Sequence, residues 1–423
     1  YCFYSSNDIL MLSIKLFARF GMSTAQSRVE NFQHVSIRDI KLGMFVVAVT
    51  KPKNDIHFKP GLISSEATFR ALRSIGVEEV RIDLSRSKHQ TEALLENPES
   101  NLAPVDEPEQ TELTADEAHE QRQHTKKLYA EAKLLQTKLL DSLKNGETVD
   151  IAPLEEMADE LVDSIFKNPD AMIYLSRIRE KDTYLMEHSL NVGMLLANFG
   201  RYLGLSRLVI KELLVGGLLH DTGKIMIPDE ILHKPGKLTF DEFEIMKRHV
   251  KYGIQFLDKS EGISEVMRTV AANHHERLDG LGYPNGLKGD ELCLISRVST
   301  IVDVYDALTA DRCYKKGMPS TTAFRILLEG AGSQFDPILV KKFIKCMGVY
   351  PVGTLVKLKS NKLALVIERN EESPLKPVVK IIYSVASTCY LNVETIDLSN
   401  VTTEEIECAV DHKEYGINVA QFY

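Results

Sequence analysis

The sequence predicts a multidomain chain in which an all-α core is flanked by a small α/β module before it and a small β-rich appendage after it. Three observations carry this. The chain is 423 residues long, more than one ordinary core accommodates, so two to three domains are expected. The hydrophobic pattern changes period twice, from short β-like runs to sustained helical spacing near residue 115, and back to strand-like runs after residue 350. Between the first two regimes, residues 91–120 hold ten Asp and Glu, no Lys or Arg, and Pro98, Pro104 and Pro108. Such a composition buries no core and reads as an acidic linker.

Taken in order, residues 1–33 are expected to be an N-terminal extension. Residues 1–21 carry Lys15, Arg19 and an apolar stretch, superficially like a signal peptide, but lack a basic region before that stretch and a small-residue cleavage site. Met22, followed by Ser23, Thr24 and Ala25, reads as the native start. Residues 34–90 form the α/β module, with strands expected at 45–50 and 79–83 and a helix at 65–75. Residues 121–349 are the helical domain with its lead-in helices: 117–145 has the charge-laced look of an exposed helix, and 154–166 repeats apolar residues at helical spacing. Residues 350–423 are the β-rich appendage, with two strands joined at Ser360-Asn361 and a third at 377–383. No chemistry is evident there.

Composition narrows the function. A 44% hydrophobic and 26% charged chain matches an ordinary globular protein. The formal charge of −9 argues against general nucleic-acid binding, which needs a basic surface, while leaving room for a phosphate ligand held by local cations. No apolar run approaches the ~18 residues of a membrane span, and 213–219 reads as buried helix. The six cysteines, Cys2, Cys293, Cys313, Cys346, Cys389 and Cys408, include no CxxC pair, which points to reduced thiols in a cytoplasmic protein.

The chemistry concentrates in the helical domain. His188, His220, Asp221, His249, His274, His275 and Asp303 hold five of the chain's twelve histidines. Imidazole and carboxylate donors without a matched cysteine favour iron, manganese or zinc over a thiolate zinc site. His220-Asp221 sets a ring and a carboxylate on neighbouring helical positions, and a carboxylate has two oxygens with which to bridge two cations. The ligand count suffices for two metals, which together hold a phosphate and activate water. Any one of these residues alone is more often a satisfied core group; the ordered set is the signal.

The segments His220-Asp221-Thr222-Gly223-Lys224 and 274–284, with His274-His275-Glu276 and Gly282-Tyr283-Pro284, closely resemble the HD-GYP family of bacterial cyclic di-GMP phosphodiesterases. So do 228–232, 234–238, and 303–309 with Asp303 and Asp306; the agreement runs from about 182 to 343. Residues 34–85, with Leu42-Gly43-Met44, look like the small domain of unknown function that often precedes HD-GYP domains. The resemblance implies an HD-type metal-dependent phosphohydrolase core with two divalent ions, iron or manganese. One would be held by His188, His220, Asp221 and Asp303, the other by Asp221, His249, His274 and His275. It also implies Lys224 beside the scissile phosphate, Tyr283 against the ligand, and Arg312 and Lys315 on the dinucleotide phosphates. Some members bind a third metal through a glutamate one turn before the first histidine; here that position is Tyr184, and Glu187 points elsewhere around the helix, so a dinuclear site is expected.

The implied reaction is hydrolysis of a cyclic dinucleotide, cyclic di-GMP or 3′,3′-cyclic GMP-AMP, to the linear 5′-phosphorylated dinucleotide by attack of a metal-bridging hydroxide, with Asp221 and Lys224 as the catalytic pair. No serine or cysteine paired with a base supports a covalent route. Two rivals stand beside it: an HD-type hydrolase of another nucleotide, and a catalytically silent cyclic-dinucleotide sensor. The expected partner is the cyclic dinucleotide, with no membrane, and with a homodimer or a signalling protein engaged through the N-terminal module.

Overall fold

The computed structural model describes residues 32–36, 45–49, 61–62, 79–83, 115–147, 150–175, 184–310, 317–370 and 373–422. The expected helix at 65–75, residues 1–31 of the expected N-terminal extension, residues 91–114 of the linker, Arg312 and Lys315 lie outside them; residues 32 and 33, expected in the extension, belong to the first strand.

Near the N-terminus, strands β1 (Phe32–Ser36), β2 (Phe45–Val49), β3 (Gly61–Leu62) and β4 (Glu79–Asp83) form an antiparallel sheet in the order β1-β4-β2-β3. The sheet buries Val46, Val80 and Ile82.

Helix α1 (Ala115–Lys144) begins inside the stretch expected to be linker and leads into α2 (Ala152–Lys167) and α3 (Pro169–Leu175). The core then comprises α4 (Tyr184–Tyr202), α5 (Arg207–Leu219), the single turn α6 (Asp229–Leu232), α7 (Phe240–Leu257), α8 (Glu265–Asn273), α9 (Leu294–Thr309), α10 (Ser320–Glu329) and α11 (Pro337–Met347). Local sequence sets the helix starts. Ser206 and Ser264 accept backbone N–H bonds at the heads of α5 and α8, and Thr239 with Glu242 makes a capping box on α7. Asp336 caps α11, with Pro337 at its first position.

One continuous apolar core joins α1–α5 to α8–α11, with Phe199 and Phe343 crossing edge-to-face at 5.2 Å between ring centroids. Helices α4 and α5 meet backbone to backbone at Gly193 and Gly217, where a β-carbon on Gly217 would lie 2.4 Å from the Gly193 Cα. Any larger residue would wedge apart the two helices that deliver His188 and His220.

The appendage is a five-stranded antiparallel sheet: β5 (Leu355–Leu358), β6 (Lys362–Glu368), β7 (Val378–Ser384), β8 (Cys389–Asp397) and β9 (Ile406–Ala409), in the order β8-β7-β6-β5-β9. Asn361, at the turn the sequence marks, has φ 60°, a left-handed conformation that asparagine tolerates. Arg369 fastens this sheet to the helices: its side chain pairs with Asp170 at the head of α3 and donates to the Cys346 carbonyl at the end of α11.

Candidate metal centre

Five segments deliver the seven ligands expected from the sequence. His188 stands early on α4, His249 on α7 and Asp303 on α9. His220 caps the C-terminus of α5, and Asp221 follows it into a tight turn at φ −102°, ψ 7°. His274 likewise caps α8, with His275 next in the chain. The His220-Asp221 pair is therefore not on consecutive helical positions as expected: the helix stops at Leu219 and the two side chains part from a helix end. Thr222 closes that end by donating its hydroxyl to the Leu219 carbonyl at 2.9 Å. Gly223 lets the turn lie against α7, since a β-carbon there would sit 1.9 Å from the His249 carbonyl oxygen.

The two oxygens of Asp221 face two different sets of imidazoles. Oδ2 lies 3.5 Å from His188 Nε2 and 3.4 Å from His220 Nε2. Oδ1 lies 3.4 Å from His249 Nε2 and 3.8 Å from His274 Nε2. Asp303 closes the first set through Oδ1, 3.1 Å from His188 Nε2 and 3.7 Å from His220 Nε2. Its other oxygen lies 3.6 Å from His275 Nδ1. Donor atoms of His188, His220 and Asp303 fall within 4.8 Å of one another, as do those of His249, His274 and His275.

Three histidines are oriented by one repeated local device. Nδ1 of His220, His249 and His274 lies 2.7, 2.7 and 3.0 Å from the carbonyl oxygen three residues back, at Gly217, Met246 and Ala271. A carbonyl only accepts, so each ring must carry its proton on Nδ1 and present Nε2 as a lone pair. His188 is held instead by Asp306, whose Oδ2 is 2.7 Å from its Nδ1. The sequence motif contains Asp306 without revealing that role; the signal is its place three residues after Asp303, on the same face of α9.

These groups fit a bound cation. His249 Nε2 and His274 Nε2 stand 3.4 Å apart with no proton between them, and His220 Nε2 and Asp221 Oδ1 are buried without a hydrogen-bond partner. Lone pairs converging in a buried site repel each other and cost free energy unless a positive charge joins them. Burial holds His249 down at about 4 and His275 at about 3, both neutral and able to coordinate. Burial also lowers His274. Burial would lower His188 too, but its hydrogen bonds to Asp303 and Asp306 prevail and raise it to about 9. For Asp221 and Asp303 burial opposes ionisation, yet the Lys224 ammonium at Asp221 and the hydrogen bond from His188 at Asp303 favour it, and both carboxyls lie well below their usual range.

Lys224 donates to Asp221 Oδ2 at 2.5 Å and is partly exposed, so its ammonium stands at the mouth of the centre. The Tyr283 ring lies against His275, with centroids 4.7 Å apart, and the Tyr283-Pro284 peptide bond is cis. Glu276 shapes this loop from beneath: its fully buried carboxylate accepts the backbone N–H groups of Asn285, Gly286 and Leu287 at 2.8, 3.2 and 3.1 Å. The side chain of Tyr184 lies outside the described residues.

Helix α1 braces the centre from outside along a single face. Tyr129 donates to Asn191, Lys133 to Glu187 at 3.0 Å, and Gln136 to the Leu218 carbonyl at 3.3 Å, at i, i+4 and i+7. Glu187 adjoins His188 in sequence, and Leu218 lies two residues before His220.

Residues 163–339 match the model of an HD domain, residues 33–154 a domain of unknown function (DUF3391), and residues 355–418 a KOW domain associated with HD domain. The chain is 35% identical over 369 residues to a cyclic di-GMP phosphodiesterase of Pseudomonas aeruginosa, covering 86% of this chain and 89% of that protein. It is 38% identical over 192 residues to a cyclic di-GMP phosphodiesterase of Thermotoga maritima, covering 45% of this chain and 52% of that protein. A 3′3′-cGAMP-specific phosphodiesterase of Vibrio cholerae is 44% identical over 128 residues, 30% of this chain and 24% of that protein. No helix among the described residues is long and apolar enough to cross a membrane.

Proposed function

The chain belongs to the HD-GYP family of phosphodiesterases, and from that membership we propose that it hydrolyses a cyclic dinucleotide, cyclic di-GMP or 3′,3′-cyclic GMP-AMP, to the linear 5′-phosphorylated product. The observation that carries the reading is the divided carboxylate of Asp221, one oxygen toward His188 and His220, the other toward His249 and His274. His188, His220, Asp221 and Asp303 would hold one divalent ion, and Asp221, His249, His274 and His275 the second. The nitrogen and oxygen donors favour iron or manganese. Tyr184 in place of a glutamate supports two ions rather than three. When bound, such a pair supplies Lewis acidity at the phosphate and hydroxide near neutral pH.

The protein's own groups do the rest. Asp306 and the carbonyls of Gly217, Met246 and Ala271 orient the rings of His188, His220, His249 and His274, so most of the ligand set is arranged before substrate arrives. Lys224 offsets the charge that grows on the non-bridging phosphate oxygens as the 3′-oxygen departs. Tyr283 borders the ligand, and Arg312 and Lys315 grip its phosphates. The free thiols of Cys293, Cys346, Cys389 and Cys408 suit a reducing cytoplasm, where we place the enzyme.

The test is hydrolysis of both cyclic dinucleotides, side by side, by iron- and manganese-loaded protein, with products resolved chromatographically. Release of a linear dinucleotide from either substrate is the expected result. Tight binding of the cyclic form with no linear product would make the protein a sensor, and turnover of nucleoside triphosphates alone would make it a hydrolase of another nucleotide.

A further inference from the structure

Among the exposed large apolar side chains, Met226, Phe240, Phe243 and Leu281 lie on or beside the segments that carry the expected metal ligands. Phe240 and Phe243, 77% and 43% exposed, lie one turn apart on α7 ahead of His249. The Phe243 ring meets the Tyr283 ring edge-on, with centroids 6.0 Å apart, and Tyr283 in turn lies against His275. A continuous aromatic path thus leads from a metal ligand to the surface. Lys247, one turn after Phe243, sets its ammonium 5.5 Å from the Phe243 centroid and 5.9 Å from that of Tyr283. Glu244 holds one of the ammonium protons at 2.5 Å, leaving others to donate.

Phe243 packs edge-on against Tyr283 yet leaves 43% of its surface open beside the centre, where its ring can meet a ligand. An aromatic face stacks on a purine at little cost in specificity, whereas the ammonium beside it discriminates. The Hoogsteen edge of guanine offers two acceptors, O6 and N7; that of adenine replaces one with the N6 donor, which meets Lys247 unfavourably. We propose that Phe243, Lys247 and Tyr283 form the subsite for a guanine base of the substrate. This rests on the cyclic-dinucleotide reading and deepens it: Phe243 supplies stacking and Lys247 the choice of base.

Michaelis parameters for cyclic di-GMP, measured on manganese-loaded Phe243→Ala, Phe243→Leu and Phe243→Trp, test the stacking; metal content is determined for each variant. Alanine and leucine are expected to raise KM about tenfold, the loss falling on KM rather than kcat, while tryptophan keeps KM near the wild-type value. For Lys247→Met, the preference for cyclic di-GMP over cyclic di-AMP in kcat/KM is expected to fall about tenfold. Wild-type protein that turns over none of cyclic di-GMP, 3′,3′-cyclic GMP-AMP and cyclic di-AMP would overturn the dinucleotide reading itself. Wild-type turnover with KM unmoved by Phe243→Ala, with leucine serving as well as phenylalanine, or with the Lys247→Met preference unchanged, would overturn the guanine subsite alone.

Discussion

The helical core and the C-terminal sheet bury their side chains in opposite ways. Among the described residues, the core of α4–α9 keeps His188, His220, Asp221, His249, His274, Glu276, Asp303 and Asp306 buried, all turned toward one another or toward the loop beside them. The sheet buries Val356, Leu358, Ala364, Val366, Val379 and Ile381, and among its described residues and those beside it the only buried polar ones are Thr354 and Glu404. Thr354 donates to the Pro351 carbonyl, and Glu404 has Lys362 at 3.7 Å. Each buried ion costs several kcal/mol even after relaxation, and apolar residues of equal volume would stabilise the fold better. A core that keeps so many ionisable groups does so for chemistry; the sheet is held by apolar packing and its hydrogen-bond ladder.

Substitutions that respect or violate this division should separate the two regions. The largest effect is expected for Asp221→Ala, which removes both oxygens that join the two imidazole sets; turnover of cyclic dinucleotide should fall to background and metal content should drop. Asp306→Ala should weaken manganese binding about 10–100-fold, read by titration, because His188 loses the partner that fixes its ring. Lys133→Met leaves Glu187 buried beside His188 without the ammonium that α1 supplies. About 2 kcal/mol of stability should be lost, kept modest by the partial exposure of Lys133, along with several-fold in kcat. Arg369→Met breaks the joint between sheet and helices and should cost about 3 kcal/mol in denaturant unfolding, with kcat at saturating metal nearly unmoved. A large loss of kcat in this last variant would erase the distinction between the regions.

Much of this was legible in the sequence because helical periodicity and ligand identity are local. Strand β4 falls where alternation places it, at 79–83, and the side chains of His188, His220, Asp221, His249, His274, His275 and Asp303, singled out by residue type, lie close together. Other features depend on tertiary context. Strand β8 eluded the pattern because its residues are largely exposed, so no buried alternation marks it. The helix end at Leu219 is set by the close approach of Gly223 to α7, which periodicity does not register. Asp306 and Glu276 stand in plain view within the motif, yet which atom each one holds follows only from the fold. The bracing face of α1 is a helical repeat of Tyr129, Lys133 and Gln136 that becomes meaningful once α4 and α5 lie against it.

The central claim is that one carboxylate, Asp221, joins two cations in a single site. Electron paramagnetic resonance of manganese-loaded protein addresses it directly, since two ions sharing a carboxylate couple magnetically and isolated ions do not. The expected result is a coupled spectrum for the wild type that is lost in Asp221→Ala. An isolated-ion spectrum for the fully loaded wild type, or coupling that survives in Asp221→Ala, would contradict it.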